Sequence, residues 1–80
     1  MTVSVLLFAR YREAAGTPVI AVQIPPGATL ADVWNQVRAT VPQLRHESRP
    51  LLSCDRVYAA PDHPITGGEE VAAFPPVSGG

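Results

Sequence analysis

Residues 29 to 42 carry the chain's one long helical stripe, and that stripe has to be buried against something. Leu30, Val33, Trp34, Val37 and Val41 recur at i, i+3, i+4, i+7 and i+11, the period of an amphipathic α-helix. Gln36, Arg38 and Thr40 fall away from the stripe. Thr29 is a good N-cap, with Asp32 three residues on as a short capping box. Pro42 ends or kinks the helix, because proline disfavours helical geometry in the residue before it. The other apolar segments read as strands, so the helix has only a sheet to cover.

Residues 2 to 9 (TVSVLLFA) read as a first strand. Val3, Val5 and Leu7 share one face; Thr2, Ser4, Leu6 and Phe8 share the other. Residues 10 to 17 form a connector with room for one helical turn ended by Gly16. Residues 18 to 24 form a second strand, stopped by Pro25-Pro26-Gly27. Residues 43 to 49 are polar and irregular. Two short strands, 50 to 54 and 57 to 60, flank Asp55-Arg56, a weak hairpin turn because Arg does not favour positive φ. Pro61 to Pro64 and Thr66 to Gly68 carry turn chemistry. Residues 71 to 74 are the last strand, and Pro75-Pro76 closes it.

Strand, strand, helix, short hairpin, strand is the order of an α+β fold, the β-grasp or ubiquitin-like architecture. The expected form is a mixed sheet of four to five strands with one main helix on one face. A split β-α-β arrangement would need a second long helical stripe, which the sequence lacks. The expected division is a β-grasp domain over residues 1–74 and a flexible C-terminal tail over residues 75–80.

Composition narrows function. Eighty residues make one domain with a thin core, and 46% apolar residues suffice to build it. The net charge is −1 and the six basic residues, all Arg, are scattered, so nucleic acid and anionic membrane are poor partners. No apolar run reaches the ~20 residues of a membrane span. The first residues lack the basic region of a signal peptide. Cys54 is the single cysteine, so a disulfide framework is impossible and a cytoplasmic location is expected.

The most informative segment is Phe74-Pro75-Pro76-Val77-Ser78-Gly79-Gly80. Two prolines make a stiff, extended stem with little entropy to lose on docking. From Phe74 the stem could reach roughly 20 Å, at about 3.3 Å per residue. Gly79 and Gly80 have no side chains, so they can enter a channel too narrow for a Cβ and present a carboxylate there.

These residues, with Val5-Leu6-Leu7-Phe8-Ala9-Arg10, Arg12-Glu13, Gly16, the Thr29-Leu30 helix opening and the C-terminal third from Leu51, resemble a known family. It is the small sulfur-carrier subunit of molybdopterin synthase, the MoaD type. The resemblance implies that Gly80 is the reacting residue. A ubiquitin-activating-like adenylyltransferase (MoeB type) would use ATP to adenylate its carboxylate. Sulfur would then replace AMP, giving a thiocarboxylate. The tail, through Pro75, Pro76, Val77, Ser78 and Gly79, would enter the large synthase subunit (MoaE type). There it would donate sulfur to cyclic pyranopterin monophosphate in molybdenum cofactor biosynthesis. The chain would thus be enzymatic only as the sulfur-donating subunit, with no cofactor or metal of its own.

Strand parity places Phe8, Tyr58 and Phe74 on the sheet face away from the helix, at the base of the tail. Such an aromatic patch suits a protein interface, and the family's docking surface is apolar at matching positions. Tyr58 stands where an aliphatic residue is more common, and Asp55 where Asn is. Cys54 reads as a small buried hydrophobe, His63 as a turn residue and Trp34 as core. Two alternatives stay open: a sulfur carrier for thiamine or cysteine synthesis, and a ubiquitin-like protein modifier. The chain has no lysine, so it cannot branch through its own side chains.

Overall fold

The computed structural model of the chain describes residues 1–76. The stripe forms the helix Leu30–Thr40, here α2, since a six-residue helix α1, Arg10–Ala15, precedes it. The strands are β1 (Thr2–Leu7), β2 (Val19–Gln23), β3 (Leu51–Cys54), β4 (Val57–Tyr58) and β5 (Val71–Phe74).

Helix α2 starts where the sequence says it must. The Thr29 hydroxyl accepts from the Asp32 amide at 3.4 Å, and the Asp32 carboxylate accepts from the Thr29 amide at 2.9 Å. Two further first-turn amides would otherwise lack partners. Leu30 N–H donates to the His63 carbonyl at 3.0 Å, and Ala31 N–H to the Pro61 carbonyl at 2.9 Å. The turn after the hairpin is therefore part of the helix cap, and His63 serves it through its backbone.

The five strands form one sheet in the order β2-β1-β5-β3-β4. Strands β1 and β5 pair in parallel; the other neighbours are antiparallel. Period-two alternation sends Val3, Val5, Leu7, Val22, Leu52, Val71 and Ala73 to one face, where all are buried. Leu30, Val33, Trp34 and Val37 of α2 are buried with them in the same core. Trp34 also donates its Nε1–H to the Glu47 carbonyl at 2.6 Å, which fastens the chain between α2 and β3 to the helix.

Several details differ from the sequence reading. The first strand ends at Leu7 rather than at residue 9, because Ala9 leaves extended geometry, and the second is Val19–Gln23 rather than residues 18 to 24. The connector after β1 is a full helix α1 closed by left-handed Gly16 (φ 74), and its Tyr11 is wholly buried against Trp34, ring centroids 5.0 Å apart. Burial, with the charge of Glu47 adding to it, pushes the Tyr11 hydroxyl up to about 12. The segment after Pro42 is not wholly polar and irregular: Pro42–Leu44 form a 3-10 turn that buries Leu44. The third strand begins at Leu51 rather than at Pro50, whose ring leaves no amide for a ladder. The fourth is only Val57–Tyr58, because Ala59 and Ala60 lead into the Pro61 turn.

Candidate functional site

The sheet face not covered by α2 carries the aromatic patch. Leu7 ends β1 pointing into the core, so Phe8 points the other way. Ala9 then takes φ 52, ψ −130, which breaks the strand and turns α1 back to bury Tyr11. On β5, Val71 and Ala73 are buried under α2, while Ala72 and Phe74 face away from it. The register places Leu6 and Ser53 on either side of Ala72, and Leu51 beside Phe74. Tyr58 lies across from Ser53 on β4.

The structure brings Phe8, Tyr58 and Phe74 together. The Phe8 and Phe74 rings stack with centroids 4.5 Å apart and planes 11° from parallel. Tyr58 meets Phe74 edge-on at 5.9 Å. Offset stacking and edge-to-face contact are the arrangements that ring quadrupoles favour. Phe8 remains 40% exposed and Tyr58 68% exposed, so the cluster is a surface rather than a core. Beside it runs a groove of about 330 Å³, lined by Leu6, Phe8, Ser53, Arg56, Tyr58, Glu70, Ala72 and Phe74. Pro75, half-buried, and exposed Pro76 leave the sheet directly from Phe74. Val77, Ser78, Gly79 and Gly80 lie outside the described residues.

Sequence reading did not single out Ser53, Ala72, Arg56 and Glu70 as groove residues. Parity along β3 and β5 would have placed the first two. The other two are set by how the hairpin turn seats on the start of β5, which no local pattern encodes. Asp55 N–H donates to the Glu70 carbonyl at 2.8 Å, and the Asp55 carboxylate accepts from the Glu70 amide at 2.9 Å. Both central turn residues have positive φ, 51 at Asp55 and 69 at Arg56, the pattern of a type I′ hairpin.

The titratable groups nearby divide cleanly. The Glu69 carboxylate accepts from the Thr66 amide and hydroxyl and the Gly67 amide, at 2.8, 2.9 and 2.6 Å. The Thr66 amide is the chief cause that holds Glu69 down at about 2. Cys54 is buried, and burial first, then the charges of Asp55 and Glu69, push its thiol up, away from the nucleophilic thiolate. No group of three or more His, Cys, Asp and Glu among the described residues is placed to hold a metal ion. No helix among them is long and apolar enough to cross a membrane.

A five-stranded mixed sheet with one helix across one face, and an aromatic patch on the other just ahead of the C-terminus, defines a ubiquitin-like β-grasp protein. Comparison with known proteins gives the family: residues 5–80 match the ThiS family, and the chain belongs to it. It is 32% identical to a molybdopterin synthase sulfur carrier subunit of Arabidopsis thaliana, over 98% of this chain and 82% of that one. It is also 32% identical to the subunit of that name from Escherichia coli (strain K12), over 98% and 99% of the two chains. Among solved structures it is similar to SAMP1, the small archaeal modifier protein 1 of Haloferax volcanii. That match has TM-score 0.87 at 27% identity and covers 100% of both chains.

Proposed function

We propose that this chain is the sulfur-carrying small subunit of a molybdopterin synthase, with the Gly80 carboxylate as its reacting group. One observation carries the reading: the stacked Phe8–Phe74 pair, with Tyr58, sits on the open sheet face at the root of the Pro75-Pro76 stem, six residues before a Gly79-Gly80 end. The curated relatives bear the same name over nearly the whole chain.

The chemistry follows from the tail. A free carboxylate is a poor electrophile, so an adenylyltransferase first joins Gly80 to AMP from ATP and releases pyrophosphate. The terminal sulfur of a persulfide donor then attacks the acyl carbon and AMP leaves. A thiol cleaves the remaining S–S bond and frees the thiocarboxylate. Phe8, Tyr58 and Phe74 seat the body on the large subunit, and the proline stem aims the terminus inward. Gly79 and Gly80 fit a narrow channel because they lack side chains. Enclosure keeps water from the thiocarboxylate and fixes its sulfur against the pterin precursor. This chain supplies the reactant; proton transfer belongs to residues of the large subunit.

The test is mass spectrometry of the chain after incubation with activating enzyme, ATP and a persulfide donor. The expected product is heavier by sulfur minus oxygen, and it loses that increment when the large subunit and pterin precursor are added. A chain lacking Gly80 should melt at the same temperature and gain nothing, because the described core ends at Ala73 and the last strand at Phe74. If that truncated chain unfolds, or the full chain never gains sulfur, the reading is wrong. The likeness to a small archaeal modifier protein favours a second reading, attachment through Gly80 to target lysines. Gly-Gly remnants on lysines of other proteins, without the sulfur-bearing free chain, would establish it instead.

A further inference from the structure

The hairpin turn beside the groove is built against its own local preference. A two-residue turn with both φ values positive favours Gly at its second position, where a Cβ is penalised. Here that position is Arg56, at φ 69. Two hydrogen bonds between Asp55 and Glu70 hold the turn on the start of β5. Strain kept in place by surrounding bonds points to a use for the residue that bears it.

What Arg56 contributes is an underused guanidinium at the groove rim. Its side chain is 87% exposed, and its one ion pair among the described residues is a long contact of Nε to the Glu70 carboxylate, 3.5 Å. Such an exposed pair holds the arginine weakly. Its two Nη groups, the fork that grips a carboxylate, have no partner among the described residues. The other acids nearby are engaged elsewhere: Asp55 accepts from the Glu70 amide, and Glu69 from Thr66 and Gly67. Arg56 also lines the groove with Phe8, Tyr58 and Phe74, so a surface laid on those rings would bury it.

Resting on the reading above, we infer that Arg56 is a specificity-determining residue of this docking face. Its guanidinium receives a carboxylate side chain of the large subunit at the rim of the aromatic groove, and the strained Asp55-Arg56 turn aims it there. A partner surface with an apolar patch bordered by an Asp or Glu fits; one bordered by a Lys or Arg is repelled. This is how rim charges set partner choice and association rate.

The experiment is calorimetric titration of the full chain into the purified large synthase subunit, at low and high salt, with thermal melts of each variant. Arg56→Gln is expected to weaken binding roughly tenfold at low salt, the equivalent of one charge-assisted contact. The difference shrinks at high salt, where screening already weakens the wild type. Arg56→Lys keeps the salt dependence but not full affinity, since an ammonium lacks the planar fork. Arg56→Gly is the decisive variant: it melts higher, by about 4 °C, because strain is relieved, yet binds as poorly as Arg56→Gln. Equal affinity of wild type and Arg56→Gln overturns the inference and leaves the functional reading standing. A lower melting point for Arg56→Gly overturns the strain argument. Absence of wild-type binding overturns the functional reading, and this inference with it.

Discussion

Ala9 shows how one residue can set two faces at once. Its φ of 52 and ψ of −130 lie where L side chains are penalised and glycine is not. That conformation lets Phe8 stay on the open face while Tyr11, two residues on, is buried. Ala9→Gly should therefore raise stability by about 1 kcal/mol, part of the local strain being relieved and part offset by greater freedom of the unfolded chain. Urea unfolding would show it as a higher midpoint at unchanged slope; a lower midpoint would mean that Ala9 is not strained. At this scale the sequence was readable wherever alternation held. Parity placed Phe8 and Phe74 correctly because each continues a regular strand. It could not place Tyr11 or Leu44. The first sits in a helix too short to show a period, and the second is a lone apolar residue in a polar run, so tertiary contact alone decides their burial.

At the scale of elements, helix α2 was legible to its ends because its cap, stripe and proline stop agree. What the sequence did not disclose is that the cap has a second, non-local half. The carbonyls of Pro61 and His63 take the amides of Ala31 and Leu30. Thr29→Ala removes the hydroxyl's bond to the Asp32 amide, leaves the bond from the residue 29 amide to the Asp32 carboxylate, and should cost about 1 kcal/mol. Chemical denaturation would measure that loss, and hydrogen exchange would locate it. The Asp32 amide should lose protection, while Leu30 and Ala31 keep theirs through the distant carbonyls. Equal loss at all three would show that the two halves of the cap form only together. The β3–β4 hairpin was legible in position but not in geometry, since Asp-Arg does not announce a turn with two positive φ values. That geometry is imposed from outside, by the bonds from Asp55 to Glu70.

For the whole molecule, one amphipathic helix and several strand patterns sufficed to imply a sheet covered on one side, but not the strand order. Strand β5 lies between β1 and β3, and its parallel pairing of Val71 with Val5 joins opposite ends of the chain. The turn that leads into that central strand is fastened by the Glu69 carboxylate. Glu69 gathers the amides of Thr66 and Gly67 in the turn that leads into β5, and those bonds hold it at about 2. Glu47, which receives the Arg10 hydrogen bond, is also held below its usual range. Both groups bind protons less readily folded than unfolded. Their stabilisation is therefore complete above the unfolded carboxylate value of about 4.3 and is lost as pH falls through the folded values, toward about 2 for Glu69. Melting temperature should be level from neutral pH down to roughly 5 and then decline. Glu69→Gln should start lower at neutral pH and decline less, because the group that titrates is gone while Thr66 and Gly67 keep a neutral acceptor. Parallel curves for the two proteins would mean that the acid sensitivity of the fold lies elsewhere and that this turn does not depend on the charge of Glu69.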